Sequence, residues 1–143
     1  MKNIDDPFVR AAIISRIESF TPDRQPLWGK MTAPQMLRHC RLWEELALGR
    51  TVYPRAFIGR IFGRMAKARF ISDDRPLPRN SPTLPGLIVR SDVDVVAEKA
   101  AWITMLCEPH PAIIHPFFGP LTAEEVAVMS YKHADHHLRQ FGA

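Results

Sequence analysis

The distribution of proline is the feature of this sequence that most limits its fold. Thirteen prolines lie along the 143 residues, and they cluster rather than spread evenly. Because proline removes a backbone donor and clashes with the preceding turn of a helix, helices must lie mainly between the clusters. Those intervals carry helical periodicity, and none shows a convincing strand pattern. The sequence therefore predicts an all-α chain of helices joined by long connections.

Apolar spacing and capping residues predict five helices. Asp5 or Asp6 can cap the first helix, and Ser91 is expected to cap the fourth, with Asp92 and Asp94 in its first turn. The second and fifth helices start with capping boxes, at Thr32 with Gln35 and at Thr122 with Glu125. The predicted helices cover residues 7–19, 32–48, 53–70 and 91–107 and the residues after 122. On the fourth, we expect the buried stripe to comprise Val93, Val96, Ala97, Ala100, Ile103, Thr104 and Cys107.

The third predicted helix differs from the others in its charge. Seven basic residues and two acidic ones lie between residues 55 and 79. A membrane surface or a nucleic acid could attract such a segment, but few aromatic residues interleave its charges. We favour a solvated basic face over a packed apolar side, and a further use is an electrostatic rim for an anionic substrate. The packed side would comprise Phe57, Ile58, Ile61, Phe62, Met65 and Ala66, with Arg60, Arg64 and Lys67 directed away from it.

Composition limits the class of protein further. The length suits one domain, residues 1–143, and 46% apolar with 24% charged residues is ordinary for a globular protein. No apolar run approaches the roughly 18 residues that cross a membrane, and no secretory signal pattern opens the chain. Two cysteines make neither a disulfide framework nor a CxxC motif, so we predict a cytoplasmic location. The net charge of +4 permits an anionic substrate without implying nucleic acid.

Three histidines are the candidate metal ligands. His133 and His137 are four residues apart, which places them roughly 40° apart on one face of the last helix. His39 lies on the apolar face of the second helix and is expected to face the same interior. Helical bundles build metal sites from facing helices in this way. Three imidazoles leave positions open on a divalent ion, which is typical of a catalytic site.

The segments around these histidines resemble the DinB/YfiT-like superfamily. The resemblance rests on QMLRHC at residues 35–40, on HPFFGPLT at residues 115–122, and on YKHADHHLRQFG at residues 131–142. It is closer still to a bacterial branch with the HPFFG…YKHxDHHLRQFG signature. It implies a four-helix bundle with a long crossover between bundle helices 2 and 3, which here carries a short extra helix. One departure is Pro120, where similar sequences often carry lysine.

The resemblance also implies a function. The superfamily's metal triad falls on His39, His133 and His137, which would hold Zn²⁺, Ni²⁺ or a similar ion. Such a site would activate water or a thiol, as in a hydrolase or an S-transferase with a low-molecular-weight thiol cosubstrate. We expect an unknown small-molecule substrate and a homodimer, with neither nucleic acid nor a membrane as partner. The alternative is a non-catalytic dimeric binding or scaffold protein with a structural or vestigial metal site.

Other histidines have more than one interpretation. His136 could be a fourth ligand, but its offset from the ligand face favours an exposed position or a supporting role. His115 could cover the site or transfer protons, and we favour a hydrogen bond that shapes the turn at Pro116. His110 lies in the same loop. Phe117 and Phe118 are expected to close the end of the bundle.

Nucleophilic and acid–base side chains are less clearly indicated. Glu44 and Glu45 are near His39 in sequence, but their direction on the helix leaves no certain general base. Cys40 is turned about 100° from His39, which argues against a cysteine–histidine pair. We interpret Cys40 and Cys107 as small buried apolar residues.

Overall fold

A computed structural model describes residues 1–91 and 93–143. Five α-helices, one short 3₁₀-helix and one two-stranded hairpin follow in chain order. The α-helices are α1 (Pro7–Glu18), α2 (Ala33–Ala47), α3 (Phe57–Phe70), α4 (Val95–Leu106) and α5 (Ala123–Gln140). The 3₁₀-helix spans Pro85–Leu87, and the strands are β1 (Ile113–His115) and β2 (Gly119–Leu121).

Four of the helices form the bundle. Helix α2 packs against α4 and α5, and α1 packs against the same two helices. The long connection between α2 and α4 carries α3 and the 3₁₀-helix, which confirms the predicted all-α bundle with a helical crossover. The extra helix is not short, however, since its 14 residues exceed the 12 of α1 and of α4.

The capping predictions hold at three helices and fail at one. Asp6 caps α1, and both capping boxes form at α2 and α5. Helix α4 starts later than predicted, because Asp94 and not Ser91 accepts the hydrogen bond from the Ala97 amide. Asp92, predicted to lie in its first turn, is outside the described residues.

The predicted buried stripe of α4 was wrong. Val96 is 78% exposed and Cys107 is exposed, whereas Trp102 and Leu106 are fully buried. The helix carries apolar residues on almost every side, so spacing alone did not select the packed face. The volume of Trp102 decides it, because that side chain fills the space between the other bundle helices. Cys40 is buried as predicted, and Cys107 is not.

The packed apolar side predicted for α3 was also wrong. Gly59 and Gly63 face the protein instead, and a Cβ on either would meet the Phe117 carbonyl oxygen at 2.5 or 2.1 Å. Two glycines thus let α3 lie directly on the hairpin backbone. The large apolar side chains that were expected to be buried are at least half exposed, namely Phe57, Ile58, Ile61, Phe62 and Met65.

The β-hairpin was not predicted at all. Ile113 pairs with Leu121 and His115 with Gly119 in an antiparallel register. Its strands are only three residues long, too short for a detectable alternation. Gly119 has a φ of +84°, which a glycine adopts without strain. The hairpin sits between α3 and the start of α5 and brings His115 into the protein interior.

Within the described residues, no helix combines the length and the apolar character that crossing a bilayer would need. The core consists of two buried groups. One joins α1, α2, α4 and α5 around Trp102 and Met36. The other joins α2, α5 and the hairpin around Trp43, Val126 and Met129.

Candidate metal centre

The three predicted ligands meet in the interior. One nitrogen from each of His39, His133 and His137 lies within 4.8 Å of the other two. The Nε2 atoms of His39 and His133 are 3.1 Å apart. Two imidazoles on one tetrahedral zinc, with bonds of about 2.0–2.1 Å, would place their nitrogens roughly 3.3 Å apart. The cluster therefore fits a divalent ion once the nitrogens that are farther apart, up to 4.8 Å, approach one another by at most about 1.5 Å.

Helix α2 directs His39 through a backbone acceptor. The Nδ1 of His39 lies 2.9 Å from the carbonyl oxygen of Leu87, at the end of the 3₁₀-helix. A carbonyl can only accept, so Nδ1 carries the proton and Nε2 presents a lone pair to the cluster. The crossover thus has a direct part in the site, because it supplies the oxygen that fixes this tautomer.

A relay of two hydrogen bonds directs His137 in the same way. The Gln140 amide nitrogen donates to the Trp28 carbonyl oxygen at 2.8 Å, so the amide oxygen must face His137. That oxygen lies 2.9 Å from Nδ1 of His137, which therefore donates to it and leaves Nε2 free. Metal-binding histidines usually donate their second nitrogen to such an acceptor. Gly29 makes room for the relay, since a Cβ there would lie 2.7 Å from the Gln140 amide nitrogen.

Burial holds the three imidazoles in their neutral form. It is the main cause that lowers the pKa of His39, although the Leu87 carbonyl acts in the opposite direction. Burial, followed by the charges of neighbouring histidines, holds the pKa values of His133 and His137 well below the usual 6.5. Neutral imidazoles keep the lone pairs that a metal needs. The Nε2 atoms of His39 and His133 cannot be 3.1 Å apart as two bare lone pairs, so a proton or a cation must separate them.

Aromatic rings surround the cluster. Trp43 stacks on His133 with ring centroids 4.7 Å apart and an angle of 22° between the planes. His136 is buried against Trp28, with centroids 5.6 Å apart, and its edge meets His137. The exposed position considered for His136 is therefore wrong. The structure places its ring beside the cluster, which suits a supporting role.

The turn predicted for His115 is present. Its Nδ1 accepts hydrogen bonds from the amides of Phe117 and Phe118, at 3.1 and 3.2 Å. Phe118 packs with Phe70 and with the buried group around Trp43, which agrees with the expected closing of the bundle end. Because Nδ1 accepts, the proton of this imidazole is on Nε2.

The two glutamates considered as general bases have other partners. Glu44 is fully buried, where its carboxylate accepts from the Ser130 hydroxyl and contacts His110 Nε2 at 3.1 Å. Glu45 pairs with Arg41 on the same helix. The hydrogen bonds of the described residues connect neither carboxylate to the three-histidine cluster. Asp135, on the same helix as His133 and His137, instead forms ion pairs with Arg139 and Arg16.

Sequence reasoning found the three histidines but missed the groups that orient them. Gln140 shares the face of His137 three residues later, a spacing that allows contact within one turn of helix. Trp43 follows His39 by four residues, a spacing that places both side chains on one face of the helix. The Leu87 carbonyl carries no signal in the sequence, because any residue can present a backbone oxygen.

A helical bundle with three buried histidines on two facing helices defines a candidate metalloprotein. A model of the DinB superfamily matches residues 9–141, which is nearly the whole chain. The chain therefore belongs to the DinB superfamily, as its resemblance indicated. Comparisons with curated proteins and with solved structures found no match.

Proposed function

We propose that the chain is a metal-dependent enzyme in which His39, His133 and His137 hold Zn²⁺, Ni²⁺ or a similar ion. The observation that carries this proposal is the orientation of His39 and His137 by carbonyl acceptors, which turns both Nε2 lone pairs towards one point. At His110, by contrast, both ring nitrogens contact carboxylates, and no lone pair is directed towards other imidazoles. A bound ion would lower the pKa of a water or thiol and supply a nucleophile near neutral pH.

The residues around the cluster have separable tasks. Leu87 and Gln140 already hold the rings of His39 and His137 in place. Metal binding would therefore require little further ordering of these two side chains. Trp43 covers one face of His133 and keeps water from it. Three protein ligands leave at least one position of a tetrahedral ion for substrate. We infer hydrolysis or thiol transfer as the reaction class, with a low-molecular-weight thiol as cosubstrate in the second case.

Metal content tests the proposal directly. Elemental analysis of protein purified without an affinity tag, before and after incubation with Zn²⁺ or Ni²⁺, should give about one ion per chain. The variants His39→Ala, His133→Ala and His137→Ala should each lose it. His136→Gln is the matched control, because its ring lies beside the cluster without belonging to it. No uptake by the wild type, or equal uptake by all four variants, contradicts the proposal.

Ligand-induced stabilisation separates the two reaction classes. A low-molecular-weight thiol that binds at the site should raise the Tm of the zinc-loaded protein and leave the chelated protein unchanged. A thiol-independent hydrolase would show no such difference. Stoichiometric zinc with no thiol effect therefore retains the metal proposal and favours hydrolysis.

We infer in addition that the chain forms a homodimer through the exposed apolar side of α3. The side chains of Phe57, Ile61 and Met65 follow one another at intervals of four residues, and Ile58 and Phe62 form a second such row. Such rows interdigitate with those of a second helix. Five half-exposed apolar side chains offer roughly 500 Å² per copy, near the ~1,000 Å² total expected of a specific interface.

Oligomeric state tests this interface. Light scattering should give a dimer for the wild type and a monomer for Ile61→Asp, with Arg60→Asp as the matched control on the neighbouring face. A monomeric wild type contradicts the dimer. Binding of that monomer to anionic vesicles, lost in Ile61→Asp, would assign α3 to a membrane surface instead. The same exposed side also favours the alternative of a dimeric binding protein, which predicts a dimer without catalytic turnover.

A further inference from the structure

Five buried side-chain nitrogens have no hydrogen-bond partner among the described residues, and three of them belong to residues around Trp43 and the hairpin, on one side of the three-histidine cluster. These three are Nε1 of Trp43, Nε2 of His115 and Nε of Arg55. A buried polar group without a partner costs about 1–3 kcal/mol, so such groups are uncommon in folded proteins. Their occurrence together, next to the candidate ligands, calls for a physical reason.

The three groups form one neighbourhood. The rings of Trp43 and His115 have centroids 5.5 Å apart, and Trp43 is stacked on the candidate ligand His133. The guanidinium of Arg55 lies against Gly119, with Nη1 3.0 Å from the position of a Cβ there. Gly119 is paired with His115 across the hairpin. Helix α2, the hairpin and the segment before α3 therefore bring one group each.

All three nitrogens are donors. An indole and a guanidinium can only donate, and His115 must carry its proton on Nε2 because Nδ1 accepts two backbone amides. Burial, together with the charge of Arg55, lowers the pKa of His115 to about 4, which excludes a second proton at neutral pH. A set of donors with one positive charge is complementary to an acceptor with a negative charge.

The charge of Arg55 is not neutralised within the described part of the chain. Arg55 donates a hydrogen bond, 3.4 Å long, to the carbonyl oxygen of Gly59, and none of the ion pairs among the described residues includes Arg55. Arg55 is half-buried, so its charge is only partly screened by water. By contrast, Arg41 and Arg16 on the bundle helices each pair with a carboxylate.

We propose that Arg55, Trp43 and His115 form a subsite for an oxyanion, a carboxylate or phosphate group carried by the organic substrate. The inference rests on the proposed function, because the anion would place the rest of the substrate beside the three-histidine cluster. The subsite would also explain why the loop HPFFG, residues 115–119, has this sequence. His115 donates to the anion, Pro116 and the phenylalanines form the turn that orients its ring, and Gly119 leaves room for Arg55.

Nuclear magnetic resonance of the indole protons tests the subsite without a known substrate. Titration with sodium acetate or inorganic phosphate should move the Trp43 Nε1–H signal, assigned with Trp43→Phe, as a hydrogen bond to the anion forms. The Trp102 indole, which is also unpartnered but buried among α1, α2 and α4, is an internal control and should not move. Comparing the two salts distinguishes a planar carboxylate from a tetrahedral phosphate.

Substitution of Arg55 gives the quantitative test. Arg55→Gln should weaken the apparent affinity for the anion by roughly tenfold to a hundredfold, the range for a lost charged hydrogen bond. Arg60→Gln removes the same charge five residues later on an exposed face and should change nothing. A Trp43 signal that does not move, or moves equally in both variants, overturns the proposal.

Measurements on the metal-free protein distinguish the proposed anion subsite from the proposed metal centre. Anion binding that persists after chelation supports the subsite even if no metal is ever taken up. Metal uptake without any anion effect supports the metal centre and rejects the subsite.

Discussion

Two groups of buried histidine in this protein have opposite electrostatic surroundings. His39, His133 and His137 face one another, carbonyl oxygens and aromatic rings, and burial lowers the pKa of each. His110 lies between the carboxylates of Asp5, at 2.8 Å, and Glu44, at 3.1 Å. Burial also lowers the pKa of His110, but the hydrogen bonds and charges of Glu44 and Asp5 outweigh it and raise the pKa.

The difference shows that the groups in contact with a buried histidine, more than its burial, set its protonation state and therefore its role. Neutral surroundings preserve lone pairs, which a metal can use. Two carboxylates favour the imidazolium, which has no lone pair to offer and acts as the cation of a buried ion pair. His110 connects the N-terminal segment to α2, whereas the other three lie where α2 meets α5. The three-histidine cluster is therefore the one suited to binding a metal, and His110 is suited to structural support.

The largest expected effect is the loss of stability when the buried contact between Glu44 and His110 is removed. Glu44→Ala removes a buried carboxylate that binds His110 and Ser130, and it should reduce the free energy of unfolding by about 3–5 kcal/mol. Glu45→Ala, next to it on the partly exposed side, should cost at most about 1 kcal/mol. Chemical denaturation of both variants at pH 6 makes the comparison. Equal losses would remove the distinction between a buried and a surface carboxylate.

The next effect concerns the orientation of the proposed metal ligands. Gln140→Leu keeps the size of the side chain but removes the acceptor of His137, and it should weaken metal binding by about 10–100-fold. Competition with a chromogenic chelator measures this loss. Gln25→Leu, on an exposed connector, should bind metal as the wild type does. If Gln140→Leu also binds normally, the relay from Trp28 through Gln140 has no part in the site.

The smallest expected effect is the pH dependence of the free energy of unfolding. Its sign should be opposite for His110 and for the three-histidine cluster. The folded-state pKa of His110 is raised, so its contribution is complete below the unfolded value of 6.5 and is lost as pH rises through the folded value. The pKa values of the three cluster histidines are lowered, so their contribution is present above 6.5 and is lost as pH falls.

Unfolding of the chelated protein, followed from pH 5 to pH 8, checks these signs. Relative to the wild type, His110→Gln should lose most stability at the acidic end. His39→Gln should instead lose most at the alkaline end, where the wild type benefits from a neutral imidazole. The same sign for both variants would contradict the assignment of charges.

The sequence predicted helix starts, and the meeting of three histidines, where the signal is local. A capping box spans four residues, and the His133–His137 spacing follows from helix geometry alone. Prediction from the sequence failed where the buried face of a helix depends on packing between distant segments. The phase of α4 is set by Trp102 against other helices, and the packed side of α3 is set by the backbone at Phe117.

Glycine explains the error at α3. A pattern search counts large apolar residues as the buried side and treats Gly59 and Gly63 as neutral. Close contact with a backbone requires the opposite, because only a residue without a side chain fits there. The unpartnered nitrogens of Arg55, Trp43 and His115 could not be predicted either, since they are defined by three segments meeting in space.

Gly29 has a consequence for how sequence variation in this protein should be interpreted. It lies in an exposed connector, far along the chain from His137, and its position in a surface loop would suggest that substitutions are tolerated. Its φ of +79° and its contact with the Gln140 amide make even alanine difficult. A methyl group there would displace Gln140 and, through it, His137. In a genetic screen, Gly29→Ala should therefore fall into the same phenotypic class as the loss of a ligand.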